Sequence, residues 1–201
     1  WDVETIERIT GLSEYFFTPD KLESYKNGNF LKGGIVYADA VTTVSPTYAE
    51  EIQMPFYGEG LDGLMRARRN SLRGIVNGID YREFDPATDP KIAERYDVKN
   101  FRHEKKKNKA ALQERLGLPV DDKKFVLGIV SRLTDQKGFD LIQGVIEELC
   151  QEDLQFVILG TGEERYENLF RHYDWKYHDK LSAQIYYSDD VAHAIYAGAD
   201  A

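Results

Sequence analysis

Arg132 and Lys137 stand five residues apart in the stretch "SRLTDQKG", directly after the unbroken apolar run Phe125–Val130. Two cations on the lip of a buried strand suit a phosphate or diphosphate. A guanidinium grips two oxygens at once, and an ammonium acts as a mobile point charge. The N-terminus of a following helix adds its own partial positive charge. The other reading is a pair of surface charges neutralised by Asp135 or Asp140. Spacing alone does not separate the two.

A second turn, "LGTGE", follows the apolar run that ends at Leu159. Gly160 and Gly162, with Thr161 between them, let a ligand approach the backbone. Many α/β turns carry such glycines without a ligand. The third glycine of a dinucleotide fingerprint is replaced by Arg165, and no G-x-x-x-x-G-K-[ST] loop exists. Further on, "IYYSDDVAHAI" ends an expected strand in Tyr186 and Tyr187. Successive strand residues face opposite ways, so only one of the two can serve a given layer. That one either stacks on a nucleobase or packs. His193 lies on the next helix without metal-spaced partners and reads as an ordinary helix residue; no metal site is expected. Asn77 closes "IVN" and is either a turn residue or a hydrogen-bond partner for a sugar hydroxyl or phosphate.

The elements that must position these residues follow a regular rhythm. From Phe125 onward, strand "FVLGIV" precedes a helix over 138–150, "QFVILG" precedes helix "EERYENLFRHY", and "AQIYY" precedes helix "DDVAHAIYAGA". Uninterrupted apolar strands alternating with helices predict an α/β fold, a parallel sheet covered on both faces. Ligands of such sheets sit beyond the carboxyl ends of the strands, which places Ser131–Lys137, "GTGE" and Tyr187 on one rim. Earlier in the chain, "VTTV" and "LRGIV" read as short strands. Ser45 followed by Pro46 reads as a helix start. "NFLKGGIVYADA" reads as a helix with Phe30, Leu31, Ile35 and Val36 on its apolar side, and "LDGLMRARR" as another. "NGIDYREFDPATDP" reads as turns and a connector. The helix after it carries a lysine cluster, Lys105–Lys109, expected as a solvated face.

Bulk properties narrow the function. The chain has 201 residues, a formal charge of −9 and one cysteine. The acidic balance argues against non-specific nucleic-acid binding. A single Cys150, expected as buried filler, excludes an internal disulfide and fits a reducing, cytoplasmic setting. No apolar stretch approaches a membrane span, and no signal peptide is visible. The start at Trp1 and the end at "YAGADA" read as those of an internal piece of a larger protein.

Four segments in order, Phe30–Gln53, Gly74–Pro86, Val130–Ile142 and Ala192–Asp200, resemble the glycogen and starch synthases, retaining glucosyltransferases that extend α-1,4-glucan. The resemblance implies a GT-B-type architecture of Rossmann-like domains with the active site in the cleft between them. Residues 1–80 would then be the end of the acceptor-side N-terminal domain, 81–120 a connector and helix, and 121–201 the start of the nucleotide-sugar-binding C-terminal domain. It implies ADP-glucose as donor, an α-1,4-glucan as acceptor, and no cofactor, metal, nucleic acid or membrane. Arg132 and Lys137 match the family's diphosphate-neutralising pair. Asn77 matches a donor-facing asparagine, Gly160–Gly162 the glycine turn near the nucleotide, and Tyr187 the tyrosine that stacks on adenine. Tyr186 stands where the family often has glycine. "LKGG", Lys32–Gly34, looks like the family's K-x-G-G donor motif but lacks the spacer and falls in a helix-like segment. That motif and the C-terminal E-x₇-E motif are absent, so the fragment alone is expected to be inactive. Alternatives are a related retaining glycosyltransferase using UDP-glucose or another sugar nucleotide, such as a sucrose synthase-like or mannosyl-transferring member, or a nucleotide- or glucan-binding module without turnover.

Overall fold

The computed structural model describes residues 1–201, and the chain parts at Gly78 into two units, Trp1–Gly78 and Ile79–Ala201. The first unit opens with helix α1 (Val3–Thr10), capped by the Asp2 carboxylate and ended by Gly11 in the left-handed region. A hairpin joins β1 (Glu23–Ser24) to β2 (Asn27–Gly28). Helix α2 (Phe30–Tyr37) follows, then β3 (Val41–Thr43), α3 (Pro46–Glu51), α4 (Asp62–Ala67) and β4 (Leu72–Gly74), with β3 and β4 paired in parallel. Ser45 caps α3 through the Tyr48 N–H and Pro46 takes its first turn, as the sequence predicts. The core here is small: Ala49, Ile52 and Leu72, with Val41 and Met65 against them. Of the apolar side expected on α2, only Ile35 is buried, while Phe30 and Leu31 face solvent. "LKGG" lies inside α2, where Lys32 donates to the carbonyls of Pro19 and Glu23 and Gly33 packs on Leu22.

The second unit starts with an irregular segment, runs through helix α5 (Phe101–Arg115), and reaches a three-stranded parallel sheet. Its strands are β5 (Phe125–Val130), β6 (Leu154–Leu159) and β7 (Leu181–Gln184), in that spatial order. Helices α6 (Phe139–Leu149), α7 (Glu164–Lys176) and α8 (Asp189–Gly198) complete it. The period of two in the strands sorts the core into layers. Leu127, Ile129, Phe156 and Ile158 face α6 and α7, joining Phe139, Ile146, Cys150 and Phe170. Val126, Val130, Val157 and Leu159 face α5 and α8, joining Leu112, Val191 and Ile195. Each fully buried side chain of this kind contributes roughly 1.5–3 kcal/mol. Gly128 lets α8 close on β5: a Cβ there would come within 2.6 Å of Ile195. No helix is long and apolar enough to cross a membrane.

Two expectations change here. The lysine cluster on α5 is a solvated face only at Lys106 and Lys107, which are exposed. Lys109 is buried, pairing with Asp200 at 2.6 Å and donating to the carbonyls of Asp122 and Lys124. Lys105 donates to the carbonyls of Tyr196 and Ala197, where the negative end of α8 welcomes a cation. The aliphatic stems reach across apolar surface, which a charge count does not register. The strand expected as "AQIYY" ends at Gln184, so Ile185–Ser188 form a loop and strand alternation does not govern the two tyrosines.

Between α6 and α7, Glu147 accepts from Lys176 at 2.8 Å and from the Tyr177 hydroxyl. Those two hydrogen bonds, Lys176 first, hold its carboxyl down at about 2, against an ordinary 4.5. A depressed folded pKa means the contribution is fully present above pH 4.5 and is lost as pH falls toward 2. The difference in melting temperature between wild type and Glu147→Gln is therefore expected to close across that window, at low salt. A difference that stays constant from pH 5 to 2 would show that the pair carries no linkage.

Candidate functional site

Beyond the carboxyl ends of β5 and β6 lies a hollow of about 330 Å³. Its walls are explained by strand alternation. On β5, Val126 and Val130 face α8, and two residues on, Arg132 continues that side while Leu133 turns into the opposite core. On β6, Leu159 faces α8 and Thr161 continues it into the hollow. The loops carrying these residues are stitched together past the strand ends. Ser131 N–H donates to Leu159 O at 3.1 Å, Leu133 N–H to Thr161 O at 3.0 Å, and Glu163 N–H to Leu133 O at 2.8 Å. Gly160 and Gly162 make this possible. A Cβ on Gly160 would stand 1.8 Å from Ser131 O, and one on Gly162 would stand 2.2 Å from Leu133 O.

The two cations are free of acidic partners. Neither Arg132 nor Lys137 makes an ion pair or a side-chain hydrogen bond, and both are exposed. Asp135, the acid beside them in sequence, is taken by Arg165 and by the Tyr166 hydroxyl. The Tyr166 bond and then the Arg165 bond hold the Asp135 carboxyl below its ordinary value, and the shared proton pushes Tyr166 up to about 12. Arg165, the residue in place of a third fingerprint glycine, thus removes Asp135 from competition for Arg132. Arg132 lines the hollow; Lys137 ends a 3₁₀ turn, Asp135–Lys137, just before Gly138 starts α6.

Tyr187 lines the hollow and is 86% exposed, its hydroxyl donating to Asp189 at 2.9 Å, which raises the phenol's pKa. Tyr186 also lines it, donating to Gln184 at 2.7 Å. Neither ring is packed in the core, so both offer faces to a ligand. Ser188 caps α8 through the Val191 N–H. The structure brings Arg132, Gly160, Thr161 and Tyr187 to one hollow. Gly162 lies in the adjoining bridge with Leu133, and Lys137 on the same loop as Arg132. Asn77 lies in the first unit, exposed and outside any helix or strand.

Comparison with known proteins gives this arrangement its context. A family model described as the starch synthase catalytic domain matches residues 1–67. The glycogen synthase of Lachnospira eligens is 65% identical over all 201 residues, and that of Lachnoclostridium phytofermentans is 63% identical over the same span. Over its whole length the chain is similar to these glycogen synthases. It spans 42% of the length of each of these two relatives. The Thermotoga maritima glycogen synthase is 54% identical over 192 residues, 96% of this chain and 39% of that protein. Among solved structures, the catalytic domain of starch synthase IV from Arabidopsis thaliana, bound to ADP and acarbose, superposes with a TM-score of 0.86. It is 33% identical, over 94% of this chain and 40% of that one. The α/β, GT-B-type fold class expected from the sequence is the one found.

Two residues lining the hollow, Phe84 and His193, and the partner of one of them, Asp89, were not legible beforehand. Phe84 and Asp89 come from the segment read as a connector, and His193 from a helix face read as ordinary. The His193 ring stacks on Phe84 at 4.7 Å and 12° between planes. Its Nδ1 lies 2.6 Å from Asp89 Oδ2, and both side chains are buried. Burial pushes the Asp89 carboxyl up, but the bonds from His193 and the Lys91 N–H outweigh it and hold the group below its ordinary value. The one available signal was an acid in a Pro-rich turn, which also fits an exposed Asx turn; Asp89 does accept from Lys91 N–H at 2.8 Å.

Proposed function

We propose that the protein carrying this chain is a retaining glucosyltransferase that moves glucose from ADP-glucose to the non-reducing end of an α-1,4-glucan. The observation that carries this reading is the pair of unneutralised cations, Arg132 and Lys137, on the loop leaving β5 beside a hollow with an open tyrosine face. Breaking the glycosidic bond of a sugar nucleotide concentrates negative charge on the departing diphosphate. Fixed positive groups at that point lower the barrier, because they gain more from the transition state than from the bound substrate. Arg132 grips diphosphate oxygens, Lys137 adds charge from the neighbouring turn, and Tyr187 stacks on the adenine. Gly160 and Thr161 keep the adjoining wall low enough for the diphosphate to lie against backbone. Asn77 is assigned to the donor sugar by its motif alone. Glycogen synthase names among relatives up to 65% identical, and ADP in the starch synthase IV structure, support the choice of reaction and nucleotide.

The test is transfer of labelled glucose to glycogen by the intact protein, with ADP-glucose and UDP-glucose in competition. ADP-glucose is expected to dominate, and Tyr187→Ala is expected to raise KM for it about tenfold, one base stack being worth roughly 1–3 kcal/mol. Failure to transfer from either donor would remove the reading, and preference for UDP-glucose would remove the choice of base.

A further inference from the structure

One residue in the wall of the hollow carries a buried polar atom with no hydrogen-bond partner. His193 is 3% exposed and lines the hollow, and its Nε2 is buried without any hydrogen-bond partner. A buried ring nitrogen left unpaired is destabilising, so its persistence calls for a partner. The rest of the ring is held with unusual care. Asp89, kept as a carboxylate, can only accept, so Nδ1 carries the hydrogen that it donates. Phe84 covers one face of the ring. Both ring angles are thus set by groups from the segment 79–100, which hold the orphan nitrogen at a fixed position in the wall.

The geometry points to His193 Nε2 as the partner of a ribose hydroxyl of the bound nucleoside diphosphate. This rests on reading the hollow as the donor-nucleotide site. With the base on Tyr187 and the diphosphate at Arg132, the ribose joining them must lie in the same hollow, whose wall includes His193. Chemistry then selects the hydroxyl. A neutral ring with Nδ1–H offers a lone pair at Nε2, and a charged ring offers an N–H there. A hydroxyl both donates and accepts, so it satisfies Nε2 in either state; an exocyclic amine satisfies only the first and a phosphate oxygen only the second. His193 is accordingly a nucleotide-recognition residue, and Asp89 and Phe84 are its positioning residues.

The experiment is equilibrium titration of the intact protein with ADP, 2′-deoxy-ADP, 3′-deoxy-ADP and inorganic diphosphate, at one salt concentration. Wild type is expected to bind one of the two deoxy analogues about tenfold more weakly than ADP, a hydrogen bond of roughly 1.4 kcal/mol. His193→Asn keeps an N–H where Nδ1 stood, for Asp89, and has no atom at Nε2. It is expected to bind ADP about tenfold more weakly, to lose the discrimination between ADP and that analogue, and to bind diphosphate as wild type does. His193→Gln places an amide where Nε2 stood and abandons Asp89; it is expected to melt lower yet retain ADP affinity within threefold. A purely structural histidine predicts the reverse order, with the Asn variant normal and the Gln variant impaired. That order, or a deoxy penalty equal in wild type and His193→Asn, overturns the inference while leaving the nucleotide site standing. Wild type binding neither ADP nor diphosphate overturns both.

Discussion

Arg132→Ala is expected to lower glucosyl transfer on the order of 10²–10³-fold while leaving the melting temperature unchanged. The two halves of that result have separate causes. In the proposed reaction the guanidinium would oppose charge that develops only as the glycosidic bond breaks, so its loss would be felt in kcat more than in KM. Stability is spared because the side chain forms no ion pair and no hydrogen bond in the folded chain. Asp135 shows no dependence on Arg132, being satisfied by Arg165 and Tyr166. Arg132→Lys should recover part of the loss, since it restores charge without the two-pronged grip. Lys137→Ala is expected to act in the same direction, and the double variant to lose less than the product of the singles, because in the proposed reaction both cations would serve one leaving group. Equal turnover in wild type and Arg132→Ala, measured with ADP-glucose and glycogen, would strip the residue of its role.

What the sequence disclosed and what it hid divide along physical lines. Strands β5 and β6 were legible because burial on both faces writes an unbroken apolar run, and α3 and α8 because Ser45 and Ser188 are serine caps. The rim position of Arg132, Gly160, Thr161 and Tyr187 followed from those elements. Three things did not follow. The end of β7 at Gln184 depends on where β6 stops offering a ladder, at Leu159, which no local pattern in "AQIYY" encodes. The inward turn of Lys105 and Lys109 depends on carbonyls far along the chain. The Asp89–His193 pair joins residues 104 positions apart, one of them in a turn-rich segment whose composition predicts only a surface connector. Local signals report periodicity and caps; they are silent on polar groups whose partners are distant.

Gly160→Ala tests whether the loop geometry, and not only the charge, carries the function. The added Cβ would lie 1.8 Å from Ser131 O, a separation no carbon and oxygen can hold, so backbone must move by more than an ångström. Nothing flexible stands in the way to yield instead, because the obstructing atom belongs to the main chain. The two hydrogen bonds flanking the clash, Ser131 N–H to Leu159 O and Leu133 N–H to Thr161 O, bracket Arg132, so the displacement is delivered to that residue. Overpacking of this kind costs about 1–3 kcal/mol, and a misplacement of about 1 Å at a reacting centre costs on the order of 10² in rate. The variant is therefore expected to melt several degrees lower and, well below its melting temperature, to transfer glucose at most a tenth as fast as wild type. Gly144→Ala is the matched control. Gly144 lies in α6 with open space where a Cβ would go, and the change should stabilise by roughly 0.5–1 kcal/mol with turnover retained. If Gly160→Ala keeps both its melting temperature and its rate, the stitched loops are not what holds Arg132 in place, and the catalytic geometry must be sought in the side chains alone.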